Sequence, residues 1–145
     1  MVSGAAFLVL AAAAQPIKLS DVRMHLFYEA SGRLSPDLTR EKDFAGWNVI
    51  IGAGSAEEPA NDLLVVAELQ SAAEEHTETP LRMSVTDGKG KVLASRRFDS
   101  ILITGKGSAY LPLWVRNAGC AGKLTVNVQF GSQRRSEVLE FHCGE

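Results

Sequence analysis

The sequence predicts an all-β chain folded as an antiparallel β-sandwich of about eight or nine short strands. Three observations carry that reading. Short runs recur in which apolar and polar residues alternate, such as Leu81-Met83-Val85 and Leu124-Val126-Val128-Phe130. Period two places the apolar set on one face of a strand. Turn-forming clusters separate the runs: DGKGK (87–91), KGS, RNAGCAG and GSQRR. The length of 145 residues suits one two-layer core and is too short for a catalytic domain beside a separate cofactor domain. With 46% apolar and 22% charged residues, the composition is that of a globular chain, not a disordered one.

The chain opens on MVSGAAFLVLAAAAQP. The apolar run from Ala5 to Ala14 is too short to span a bilayer as a helix. It fits the apolar region of a secretory signal, with Ala12-Ala13-Ala14 as the small-residue cleavage site. Residues 1–14 are therefore expected to be a signal peptide and residues 15–145 a single sandwich domain. No Lys or Arg precedes the run, which departs from the usual signal. The competing reading is a buried first element. Cys120 and Cys143 agree with export, because an even cysteine count in an oxidising compartment suggests a bridge.

RMHLFYEA (23–30) reads as the first strand. Ser35-Pro36 then offers an N-cap followed by proline at the first helical position, so a short helix is expected near 35–45. WNVIIG (47–52) reads as a strand and AGSAEEPAND as an acidic loop. LLVVAELQ (63–70) alternates with Leu63, Val65, Ala67 and Leu69 on one face. A helix over 62–76 is the alternative, since AELQSAAEEH holds good helix formers; strand followed by exposed loop is the reading adopted. Strands follow at 81–86, 92–98, 100–105, 109–115, 123–130 and 136–143. Gly88 and Gly90 are expected to supply positive φ in the turn between the first two of these. Pro112 cannot donate to a ladder, so its strand should lie at an edge, or its N–H position should face out of the ladder. SVTDGKGKVL (84–93) resembles the strand–turn–strand of immunoglobulin-like secreted modules. Any hairpin has that form, so it describes the type of sandwich and assigns no family.

The last two strands can be set in register. A four-residue loop, Gly131 to Arg134, would place Val126 opposite Leu139 and Leu124 opposite Phe141. Cys143 would then face Gly122, two residues from Cys120. A bend at Gly119 or Gly122 would bring the sulfurs together and clamp the open end of the hairpin.

NVIIGAGSAEEPAND (48–62) begins as a dinucleotide-binding turn does. Three features argue against that reading. The third glycine position is Glu57, with Glu58 beside it, and two carboxylates would repel a pyrophosphate. Pro59 falls where the helix should be running. The next element is strand-like, not the crossover helix of a βαβ unit. The glycines then serve a turn, and no cofactor is expected. Glu57, Glu58, Asn61 and Asp62 place four oxygen-bearing side chains within six residues, which makes them candidate calcium ligands. Their spacing matches no calcium loop, and a solvated acidic loop is the simpler account.

His25, His76 and His142 are far apart and lack the spacing of metal ligands. No G-x-S-x-G elbow is present, and no catalytic residue is assigned. Net charge is −2, which leaves no basic footprint for nucleic acid. Small basic clusters occur at Lys89/Lys91, Arg96-Arg97, Lys106 and Arg134-Arg135. They fit strand edges protected against association, or contacts to an anionic glycan or lipid headgroup. Trp47 and Trp114 are expected in the core.

The expectation is a periplasmic or extracellular sandwich, monomeric or weakly self-associating, without stable membrane insertion. Its role would be binding of an unknown protein or glycan through the loops at 30–46 and 53–62, with the charged segment 71–79. A small secreted hydrolase or metal-dependent enzyme with a site assembled from loops is the competing class. A structural subunit that pairs by strand addition is the third.

Overall fold

Alternating burial along each strand builds two sheets whose apolar faces meet. This computed structural model describes residues 16–144. The expected signal segment and its cleavage point after Ala14 lie outside the described residues. The strands run β1 (Lys18–Tyr28), β2 (Arg33–Leu34), β3 (Gly46–Trp47), β4 (Asp62–Gln70), β5 (Glu75–Thr77) and β6 (Leu81–Thr86). They continue with β7 (Val92–Phe98), β8 (Ile101–Ile103), β9 (Ser108–Val115), β10 (Gly122–Phe130) and β11 (Gln133–His142). One sheet has the order β2-β1-β4-β9 and the other β3-β11-β10-β6-β7. Pairing is antiparallel except between β3 and β11. A small ribbon of β5 and β8 buries Ile101 and Ile103. The all-β sandwich expected from the sequence is the observed architecture, with four of the eleven strands only two or three residues long.

The core is the inner face of both sheets. Met24, Leu63 and Val65 from one sheet and Met83, Leu124 and Val126 from the other are almost fully buried. Removing each from water contributes about 1.5–3 kcal/mol.

Several expected details differ. The helix near 35–45 is a single 3₁₀ turn, Leu38–Arg40, capped by Asp37. Ser35 is no cap; its buried hydroxyl accepts from the Leu26 N–H and donates to the Pro36 carbonyl. The strand expected at 47–52 shrinks to Gly46–Trp47, and Val49–Ile51 forms a second 3₁₀ turn closed by Gly52 at φ 76°. Asn48 adopts left-handed backbone before that turn and ends the strand. Within the 87–91 turn only Gly90 has positive φ.

The β10–β11 hairpin turns on two residues, with Gly131 at φ 56°, where four had been expected. Leu124 therefore faces Leu139, and Gly122 faces Phe141. The register moves by two residues, so every side chain keeps its face. Extended by two further residues, this register sets Cys120 opposite Cys143. Their Cα atoms are 5.1 Å apart and the disulfide is formed.

Side chains engage backbone groups at both edges of the four-stranded sheet. β9, carrying Pro112, is an edge strand as expected. Beyond its short pairing with β2, β1 exposes a second edge. There Gln133 accepts from the Leu19 N–H and donates to the Ile17 carbonyl, imitating a strand partner. Asp37 accepts from the Met24 N–H, and Arg135 donates to the Leu19 carbonyl. On the other side of the sandwich Arg96 donates to the Pro112 carbonyl. Two arginines thus stitch the two seams between the sheets.

Candidate functional site

The loops marked by the sequence are held by contacts within the protein. Arg33 of β2 pairs with Glu58 and lies 3.5 Å from Glu57, and its guanidinium packs over the Tyr28 ring. The Tyr28 hydroxyl accepts from the Glu57 N–H. The Arg33 guanidinium holds the Glu58 carboxyl below its ordinary range, and Glu58 in turn raises Arg33. Asn61 and Asp62 are drawn elsewhere. Asn61 donates to Asn117, while Asp62 accepts from the Trp114 indole and from the Asn117 N–H. The four candidate calcium ligands are thus divided between two sets of partners. Among the described residues, no group of three His, Cys, Asp or Glu side chains is placed to hold a metal ion. The glycines of this loop serve close packing. A Cβ at Gly54, which has φ 64°, would stand 2.3 Å from the Ala45 carbonyl oxygen.

The three histidines lie in separate places. His25 donates through Nδ1 to the Ser35 carbonyl, His76 hydrogen-bonds with Ser100, and His142 lies 3.6 Å from Glu140. The segment 71–79, expected as an exposed loop, contributes β5 to the small ribbon.

Both tryptophans leave the core. Trp47 is 50% exposed and lies against Gly144; Trp114 is 40% exposed. Trp114 stands on the outer side of β9, where period two alternates it with the buried Leu113 and Val115. It meets Phe27 edge-on at 5.0 Å between ring centres. Nearby, Glu68 accepts from Arg23, Gln70 and Ser108. Arg23 also packs over the Tyr110 ring. The polar groups of this outer face are largely engaged with one another.

The outer face of the five-stranded sheet is built differently. The register places Ser136, Asn127, Ser84 and Ser95 side by side across β11, β10, β6 and β7. The next row is Arg134, Gln129, Arg82 and Arg97. Strand spacing makes these two rows a patch of roughly 14 Å by 7 Å. They line an open concavity of about 740 Å³. Five of its twelve lining residues are arginine and none is acidic.

The five arginines do different things. Arg96 and Arg135 reach inward to the seam carbonyls. Arg97 pairs with Asp99. Arg82 and Arg134 have no carboxylate or hydrogen-bond partner among the described residues, and the side chains of Ser84, Ser95, Asn127 and Ser136 likewise have none. Gln129 donates to the Gly131 carbonyl. This face is therefore rich in uncommitted donors and carries net positive charge.

Sequence reasoning marked Arg96-Arg97 and Arg134-Arg135 but missed Arg82, Gln129 and the serine–asparagine row. Adjacent strand residues point to opposite faces, so each arginine pair gives one side chain to the patch and one to a seam. The available signal was the outward set of each alternating strand; joining those sets needed the register.

No protein-family model matches this chain, and no curated protein matches it. Solved structures offer partial likenesses. A β-glucuronidase from Bifidobacterium dentium, complexed with coumarin-3-O-glucuronide, is 15% identical with a TM-score of 0.43, over 86% of this chain and 18% of its own. A β-galactosidase-type protein from Bacteroides fragilis is 12% identical with a TM-score of 0.38, over 55% of this chain and 14% of its own. A Lactobacillus rhamnosus β-glucuronidase is 17% identical with a TM-score of 0.31, over 57% and 13%. This chain spans less than a fifth of the length of each.

Proposed function

We propose that this protein is an exported, non-catalytic binding module whose ligand lies on the outer face of the five-stranded sheet. One observation carries the reading. Across four neighbouring strands, two rows of outward polar side chains include six with no partner among the described residues. Polar surface that the fold does not use is available to a ligand at little cost in stability. The concavity is open and sheet-wide, which suits an extended ligand better than a small buried one. Its lining holds serine, asparagine, glutamine and arginine but no histidine, carboxylate or thiol to act as a base or nucleophile, which favours binding over chemistry. The Cys120–Cys143 bridge is consistent with an oxidising compartment. Among the described residues no helix is long and apolar enough to cross a membrane.

Two measurements test this proposal. Mass spectrometry of the protein recovered from the exported fraction should show residues 1–14 removed and two hydrogens lost to the disulfide. An uncleaved chain with free thiols would remove the export argument. Amide chemical shifts should then be followed while polysaccharides are titrated into the labelled protein. Perturbations should centre on Ser84, Ser95, Asn127 and Ser136. A response confined to the loops at 30–46 and 53–62 would move the site to where the sequence first pointed.

A further inference from the structure

We infer that the arginine row makes this face selective for acidic polysaccharides, chains that carry carboxylate or sulfate groups beside their hydroxyls. The inference rests on the proposed ligand face and adds the chemical class of its ligand.

The arginine row carries an electrostatic cost. Arg82 and Arg97 are directly opposed across β6 and β7, and Arg134 stands in the same row beyond Gln129. Like charges facing each other across strands are destabilising. Of this row, only Arg97 has a carboxylate partner among the described residues, Asp99. Among the described residues, no carboxylate lines the concavity to offset Arg82 and Arg134. Those two side chains rise from strands two places apart, roughly 10 Å between their backbones, with the Gln129 amide between them. Guanidinium groups offer paired, planar donors that match the oxygens of a carboxylate or sulfate. Both arginines are long enough to lean toward one anion above Gln129.

The neighbouring row supplies the second half of the recognition. Ser84, Ser95 and Ser136 carry hydroxyls, and Asn127 carries an amide; each can both donate and accept. Groups of that kind match sugar hydroxyls, which also do both. Two arginines alone would suit any anion. Arginines beside a row of donor–acceptor side chains suit a ligand in which charge and hydroxyls alternate. A phospholipid headgroup lying on a membrane would instead need the protein to present this concave face to a flat surface.

The test uses the intact oxidised protein, with dextran, dextran sulfate, alginate and phosphatidylglycerol vesicles as probes. Binding is followed by amide shifts and by thermal stabilisation. Dextran sulfate and alginate should bind, and uncharged dextran should bind at least tenfold more weakly. R82A and R134A should each weaken the acidic polymers roughly tenfold, as expected for loss of one charge-assisted contact. N127A should weaken all three polysaccharides. Neither arginine variant should lower the melting temperature of the unliganded protein, so a failure to fold cannot imitate the result. Raising the salt should weaken the acidic polymers most.

Four results would overturn the inference. Equal binding of dextran and dextran sulfate, unchanged by R82A and R134A, would remove the acidic selectivity and leave the ligand face standing. Binding of dextran sulfate that shifts only Lys89, Lys91 and Lys106 would show a general polyanion effect elsewhere. Vesicle binding without alginate binding would assign the arginines to lipid. No polysaccharide response anywhere on the sheet would remove both the inference and the ligand face beneath it.

Discussion

The two outer faces of this sandwich are built from strands of the same alternating kind, yet they treat their polar groups in opposite ways. On the four-stranded sheet, Glu68 gathers Arg23, Gln70 and Ser108, and Asp62 holds the Trp114 indole. Aromatic rings fill the remainder, with Phe27 against Trp114 and Tyr110 beneath Arg23. On the five-stranded sheet, the side chains of Ser84, Asn127, Arg82 and Arg134 have no hydrogen-bond or ion-pair partner among the described residues. A face that satisfies its own polar groups contributes to the fold. A face that leaves them open contributes little to the fold and presents them outward.

The largest expected effect probes the mechanics of this difference. The Cys120–Cys143 bridge clamps β10 to β11, two of the four strands under the open face; the other sheet has no such tie. Opening it with the double variant C120A/C143A should cost about 3 kcal/mol in denaturant unfolding, the chain-entropy value for a loop of this size. Amide exchange should rise more in β10 and β11 than in β1 and β4. A uniform rise across both sheets would mean that the bridge supports the whole core and not the open face in particular.

The next effect tests the comparison directly, with one alanine on each face. Glu68→Ala leaves Arg23, Gln70 and Ser108 without their shared acceptor at a nearly buried position. The expected loss is about 2–3 kcal/mol. Asn127→Ala should change stability by less than about 0.5 kcal/mol, because its side chain has no hydrogen-bond partner among the described residues. The contrast fails if the two variants unfold at the same denaturant concentration.

Much of the fold was legible, and the reason is local. Period two marks the strands and their inward faces without reference to neighbours, so 81–86 and 92–98 match β6 and β7 residue for residue. Pro112 named an edge because a missing donor is a local fact. The cysteine pairing survived a register error of two residues, since such a shift preserves the face. Lateral neighbours were beyond reach. Arg82 stands beside Gln129, 47 positions away in the chain, only because β6 pairs with β10. The tryptophans were misplaced for a related reason. Size suggested burial, whereas Trp114 follows the alternation of its strand and stands outward beside Phe27. Composition marked the acidic loop as a candidate, and only the folded chain shows Arg33 and Trp114 already occupying its carboxylates.

The smallest effect distinguishes two carboxylates, one attached to each sheet. Asp87, in the β6–β7 turn, is held below its ordinary range by the Lys91 and Lys89 backbone N–H groups, which its Oδ1 accepts at 2.9 and 2.8 Å. Glu58 is lowered by the Arg33 side chain beside β2. In both cases the folded state favours the ionised form. Each contribution to stability is therefore present above the unfolded value, near pH 4 for these acids, and is lost as the pH falls through the lower folded value. Salt should separate them. An exposed ion pair between two side chains is screened, so the Glu58 midpoint should climb toward its ordinary value as salt is added. Asp87 is held by backbone donors fixed in the turn, so its midpoint should move less. Carboxyl-carbon titrations by nuclear magnetic resonance at low and high salt decide the matter. Equal salt shifts would mean that the Asp87 carboxylate owes its state to the charges of Lys89 and Lys91 and not to their N–H groups.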